Sequence, residues 1–174
     1  MDFEQIIADL VREQAAEADR ELDEEVASLA EAELVSAQIS DRLRAVEGGQ
    51  VKLSSAHGYS VTGSVVRANP AWVLLKGAEG EELVSIPAIA LAQGLQRIAP
   101  SPSFMETRMG LTHILRRIMR ERTRVRIVSG VHTLVGAIGA VYSDHMDLVG
   151  LDTGEPLVSV SLKSLFSVRI VHMY

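Results

Sequence analysis

The 174-residue chain contains no cysteine, which excludes disulfides, thiolate zinc sites and cysteine nucleophiles together. Aromatic residues are scarce, with three Phe, three Tyr and one Trp, so a surface that stacks several bases on successive rings has little to draw on. No apolar run reaches the roughly 20 residues that a membrane-spanning helix needs, and the start Met1-Asp2-Phe3-Glu4 is acidic where a signal peptide is basic. These absences predict a cytoplasmic chain without a membrane contact.

Catalytic signatures are missing as well. His57, His113, His132, His145 and His172 show no HxxxH or HExxH spacing, and Asp144, Asp147 and Asp152 lack the ligand rhythm of a calcium loop. Gly58-Tyr59-Ser60-Val61-Thr62 places Thr62 where a nucleophile elbow needs glycine. No glycine-rich loop ends in Lys-Ser or Lys-Thr, as a phosphate cradle would. The expectation is a non-enzymatic protein with no cofactor, no metal site and no catalytic residue.

Charge is distributed unevenly. The net charge is −6, yet residues through Gly49 hold fourteen acids against four arginines, a balance of −10, and the remainder holds nine acids against thirteen Lys and Arg, a balance of +4. An acidic arm beside a basic body fits self-association, or competition between the arm and an anionic ligand, or a helix that solvates one face with carboxylates.

Residues 2–46 carry helix formers and no proline, which predicts a long acidic helix within a first segment, 1–48. Its apolar residues fall into two groups, Phe3, Ile6, Ile7 and Leu10 near the start and Leu22 to Val46 farther on, and only alanines separate them over Glu13 to Glu21. Such a gap argues against a continuous coiled coil. Gly48-Gly49 ends the helix, because glycine readily takes the left-handed backbone of a helix terminus.

From Gln50 the apolar period changes from 3.6 to 2. Val51 and Leu53, Val61 and Val65, Val73 and Leu75, then Val84 and Ile86 alternate as half-buried strands do. Residues 99–123 restart the cycle as a linker and a basic helix, with Pro100 and Pro102 as breaks and Met105, Met109, Leu115, Ile118 and Met119 as an apolar stripe. The strand pattern then returns over 124–174. The stretch Leu83 to Leu91 is echoed by Leu157 to Leu165, Val51-Lys52-Leu53 by Val125-Arg126-Ile127, Val61-Thr62-Gly63 by Leu134-Val135-Gly136, and Trp72 by Met146, at offsets of 73 or 74. This reads as an internal duplication with indels confined to turns.

A helix followed by five short strands, with a glycine in the bent second strand, resembles the Sm-like fold of RNA-binding rings and bacterial RNA chaperones. The closest local match is Gly136 to Val149, where Ser143, Met146 and Asp147 take the places of that family's motif aspartate, stacking residue and asparagine; Asn69, Trp72 and Val73 take them in the first copy. The second motif's polar pair is replaced by Ile86-Pro87-Ala88 and Val160-Ser161-Leu162. The resemblance therefore implies the fold and does not carry RNA binding over residue by residue. The whole pattern also resembles actinobacterial proteins with an acidic helix and a doubled barrel, which implies no function.

The fold expected is mainly β with helices, an α+β arrangement: a long N-terminal helix, then two tandem small Sm-like or SH3-like β-barrels over 49–98 and 124–174, the second preceded by its own helix. Arg116, Arg117, Arg120, Arg122, Arg124 and Arg126 are candidates for contacting phosphates or an acidic partner, and Trp72 for stacking a base or anchoring a peptide. Phe3, Ile6, Ile7 and Leu10, with Phe166, Val168 and Ile170 of the apolar closing strand, are candidates for an oligomer interface. The function expected is an assembly module that self-associates or docks a protein through its N-terminal helix. The alternative is an RNA- or DNA-binding regulator using the arginines.

Overall fold

The computed structural model describes residues 20, 23–24, 26–28, 35–96 and 109–171. The chain divides into a first unit, Met1–Ala37, and a second, Gln38–Tyr174. In the first unit, residues 20, 23–24, 26–28 and 35–36 are helical and exposed. Everything that follows concerns the second.

A short helix α1 (Ile39–Arg44) leads into β1 (Gln50–Ser55), β2 (Ser60–Ala68), β3 (Trp72–Gly77) and β4 (Gly80–Ser85), then a 3-10 turn (Ile86–Ala88) and β5 (Ile89–Gln93). Helix α2 (Leu111–Arg120) then precedes β6 (Arg124–Ser129), β7 (His132–Val141), β8 (His145–Val149), β9 (Pro156–Ser161) and β10 (Leu165–Ile170). All ten strands belong to one sheet, in the order β5-β1-β2-β3-β4-β10-β6-β7-β8-β9.

This corrects the expected architecture in two ways. The helix predicted over 2–46 is interrupted: Ala37 and Gln38 are not helical, Gln38 has an extended backbone with ψ 161°, and α1 begins afresh at Ile39. At that start the Asp41 carboxylate accepts the Gln38 N–H at 2.9 Å, satisfying one donor of the new helix terminus. Most of the earlier part of the predicted helix lies outside the described residues, and so do Phe3, Ile6, Ile7 and Leu10.

The second correction is that the strands do not form two separate barrels. β10 pairs with β6 on one side and with β4 on the other, so hydrogen bonding runs unbroken from the first half into the second. Packing crosses the same boundary. The core of the first half, built on Leu43, Val51, Leu53, Val65, Val73, Leu75 and Val84, also takes in Val128 and Phe166 from the second half. A barrel closed on itself would not need side chains from its neighbour; here an apolar edge is covered by continuing the sheet.

Within that sheet the two halves follow the same path. In each, the first strand pairs with the second and the fifth, and a helix packs on the second strand. The second strand of each half passes its neighbour closely at a glycine. A Cβ at Gly63 would stand 2.7 Å from the Lys76 carbonyl oxygen, and one at Gly136 would stand 2.9 Å from that of Val149. Neither approach leaves room for a side chain. Helix α1 ends at Arg44 with Ala45 as its C-cap in right-handed backbone, so the expected stop at Gly48-Gly49 comes a few residues too late. Gly48 has φ 83°, and its N–H donates to the Val65 carbonyl at 2.7 Å, tying the helix exit to β2. Helix α2 is capped by Gly110, with Met109 lying ahead of it, and it buries Leu115 and Ile118. The expected breaks at Pro100 and Pro102, and Met105, fall outside the described residues.

Candidate functional site

Where the two halves meet, β4 and β10 run antiparallel with Ser167 opposite Val84, Val168 opposite Leu83, and Arg169 opposite Glu82. Glu82 is only 4% exposed, and a carboxylate that deep is tolerated only when paired. Its Oε1 accepts the Ser167 hydroxyl at 2.6 Å, and its Oε2 accepts the Arg169 Nε–H at 3.1 Å and an Nη2–H from the same guanidinium. The remaining Arg169 nitrogen reaches Glu79. The joint is therefore a three-rung ladder locked by one ion pair, in which two guanidinium N–H groups share a single oxygen of the buried carboxylate.

Strand registers match the two halves residue by residue. Val65 faces Leu75 as Ile138 faces Leu148, and Ala68 faces Val73 as Val141 faces Met146. Val73 faces Val84 as Met146 faces Val160. Leu53 faces Ala92 as Ile127 faces Val168. Register shifts fall at equivalent places too, between Val65 and Arg67 and between Ile138 and Ala140. By this measure Val84 corresponds to Val160, Glu82 to Val158, Ser167 to Leu91 and Arg169 to Gln93. The sequence match of Val84 with Val158 is two residues out of register, and the counterpart of Trp72 is His145 rather than Met146.

β9 corresponds to β4, and β5 to β10. Yet β4 and β10 are covered, while β9 and β5 end the sheet. The exposures follow: Val158 is 41% and Leu91 65% exposed, against 4% for Glu82 and 1% for Ser167. Among the described residues no strand pairs with the outer side of either edge. The sheet thus ends, among the described residues, in two bare edges that carry apolar side chains.

The arginine candidates divide. Arg116, Arg117, Arg120 and Arg122 are exposed, with Arg117 in an ion pair to Glu121 at 2.9 Å. Arg124 and Arg126 are half-buried on β6, and Arg126 stands opposite Arg169 on β10. The cluster is therefore a helix surface and a strand interior, not one continuous face of six.

Trp72 is buried, at 5% exposure, and its indole N–H donates to the Met109 carbonyl at 2.6 Å. Asn69 ties the same corner: its Nδ2 donates to that carbonyl at 2.8 Å, and its Oδ1 accepts the N–H groups of Ala71 and Trp72. The ring is part of a turn and offers no open face for a base. Of the closing strand, Phe166 and Val168 are buried in the two cores and only Ile170 is exposed. Those two residues seal the internal joint and are unavailable to a second chain.

A cleft of about 330 Å³ opens beside the joint, with His57, Ile89, Lys163 and Ser164 on its walls. Its serines serve turns: the Ser55 hydroxyl accepts the N–H groups of His57 and Tyr59, and Ser164 donates to the Ser161 carbonyl. Among the described residues no three His, Asp or Glu side chains gather as a metal site requires. None of the described helices is long and apolar enough to cross a membrane.

No family model, curated protein or solved structure matches the chain. Glu82, Arg169, Leu91 and Val158 were not singled out by sequence. Arg169 stands alone in an apolar run and Glu82 is the last of three clustered acids before one, but their meeting depends on a pairing between residues 87 positions apart.

Proposed function

We propose that the chain is a non-enzymatic cytoplasmic assembly module that holds other protein through its open sheet edges. The observation that carries this reading is the contrast between equivalent strands: β4 and β10 are paired and buried, whereas β9 and β5 present Val158 and Leu91 to solvent beside unpaired backbone. Adding a strand to such an edge supplies main-chain hydrogen bonds for affinity and side-chain contacts for selectivity. The absence of cysteine and of catalytic spacings in the sequence supports the same reading, and the acidic segment through Gly49 offers a second contact for a basic partner.

Affinity purification of the full chain, with and without nuclease, tests it. The expected result is protein retained after nuclease treatment, with amide hydrogen exchange slowed in residues 89–93 and 156–161 of the complex. Exchange there that is the same in free and purified material, with no associated protein, overturns the reading.

A second reading rests on the exposure of Arg116, Arg117 and Arg120 along α2. They could track a nucleic-acid backbone, in which case retention falls steeply with salt as counterions are released. Replacing all three by Glu should then abolish retention. Wild-type protein that retards neither RNA nor DNA at low salt removes this alternative.

A further inference from the structure

The chain contains one worked example of how its own halves are joined. A strand of the fourth type, β4, meets a strand of the fifth type, β10, antiparallel and through three rungs. What remains bare at the two ends of the sheet is the other pair of the same types, β9 and β5. We propose that copies of this chain associate head to tail, β9 of one copy adding to β5 of the next in the register that β4 and β10 already use within the chain.

The register is specific. Carrying each strand across by the ladder equivalences puts Val160 opposite Leu91, Ser159 opposite Ala92 and Val158 opposite Gln93. Side chains then separate by face as they do at the internal joint. Val158 meets Gln93 directly and Leu91 diagonally, which is the relation Glu82 has to Arg169 and Ser167. Val158 and Leu91, two of the exposed apolar side chains, become neighbours across the new pair.

The chemistry has changed on both sides together. At the internal joint an acid faces a base and a hydroxyl; at the outer joint a valine faces an amide and a leucine. Each edge therefore suits its proposed partner better than it suits the strands inside. β9 pairing with β10 of another copy would bury the Arg169 guanidinium against Val158 with no carboxylate in reach, a costly arrangement. That mismatch disfavours exchange of halves between copies. It leaves head-to-tail addition as the pairing in which nothing charged is stranded.

Phe166, which the internal joint inserts into the core of the first half, corresponds in the ladders to Ala90. The outer joint thus buries less apolar surface than the inner one, so association is reversible and depends on concentration. Because the contact uses a different surface on each copy, it is heterologous, and repeated addition closes into a ring or continues as a fibre.

This inference rests on the assembly reading but can fail separately from it. The test uses full-length protein and sedimentation or light scattering. Val158→Lys and Leu91→Lys each place a charge at one edge, on side chains that already face solvent. Unchanged circular dichroism and thermal midpoint show that the fold is kept.

Wild type should form species larger than one chain, and each variant alone should weaken this at least tenfold. An equimolar mixture of the two variants should give a two-chain species and nothing larger, because one retains an intact β9 and the other an intact β5. Val158→Glu should also abolish association, and adding Gln93→Arg and Leu91→Ser should restore it by transplanting the internal lock.

Wild type that stays a single chain at all concentrations overturns the proposal. So does an oligomer that only one of the two lysine variants disrupts, since that marks a two-fold contact between like edges. In either case, a protein partner retained on the edges would leave the assembly reading standing.

Discussion

Glu82 and Arg169, 87 positions apart in sequence, face each other across the β4 and β10 ladder, and their ion pair is the polar lock of the one strand pairing that joins the two halves among the described residues. The lock constrains more than stability. A carboxylate in this position is satisfied only when β10 lies in one register, so it selects the pairing as well as holding it.

Removing one member strands the other. Glu82→Ala should destabilise the protein by about 3 kcal/mol, the usual scale for breaking a buried pair, as measured by urea unfolding. The double change Glu82→Leu with Arg169→Met replaces the pair by apolar groups and should recover most of that loss. A single variant with unaltered stability would show that the pair is not formed.

Trp72 is a single fluorescent reporter for the corner it closes. With its ring buried and its N–H bound to Met109, emission should be blue-shifted and insensitive to added RNA. Asn69→Ala removes three hydrogen bonds and should cost about 2–3 kcal/mol, given roughly 1 kcal/mol for each. Trp72→Phe, which loses one, should cost less by the same unfolding measurement.

Gly63→Ala and Gly136→Ala test the close strand approach at these positions. Overpacking of this kind costs about 1–3 kcal/mol, and Gly63 should be the worse site, because its added Cβ meets three backbone atoms within 3.1 Å. Thermal melts of the two variants should rank them in that order.

At the β7 to β8 turn, the hydrogen bond from His145 holds the Asp144 carboxyl below its usual range, despite slight opposition from desolvation. A depressed folded value means the contribution is complete above the unfolded value and fades as pH falls through the folded one. Carbon-detected NMR titration should find Asp144 protonating at lower pH than an ordinary aspartate, and His145→Ala should bring it back. His145 also stacks on Tyr142, with ring centroids 4.3 Å apart, so the Tyr142 ring resonances should shift in the same variant.

Much of the local structure could be read from side-chain type. Alternation marks the strands, Gly48 a left-handed turn ahead of β1, and Gly63 and Gly136 a close approach of neighbouring backbone. The two-residue slip in the fourth strand has an equally local cause. Leu157-Val158-Ser159-Val160 alternates with period two, so moving it by two residues keeps every side chain on its face and leaves the pattern matched. Only the ladder to β8 decides between the two registers. The reason is the turn, which runs from Gly77 to Gly80 in the first half but from Val149 to Pro156 in the second.

What the amino-acid order determined unaided was therefore the inventory: which stretches are strands, and that the second set echoes the first. Whether those strands close separately or join was decided by tertiary structure alone. An edge carries the same unpaired N–H and C=O groups whatever its eventual neighbour, and nothing near Glu82 in sequence names Arg169 as its partner. Joining depends on Phe166 reaching the first core and on a buried acid finding its base, contacts that exist only once the chain has folded.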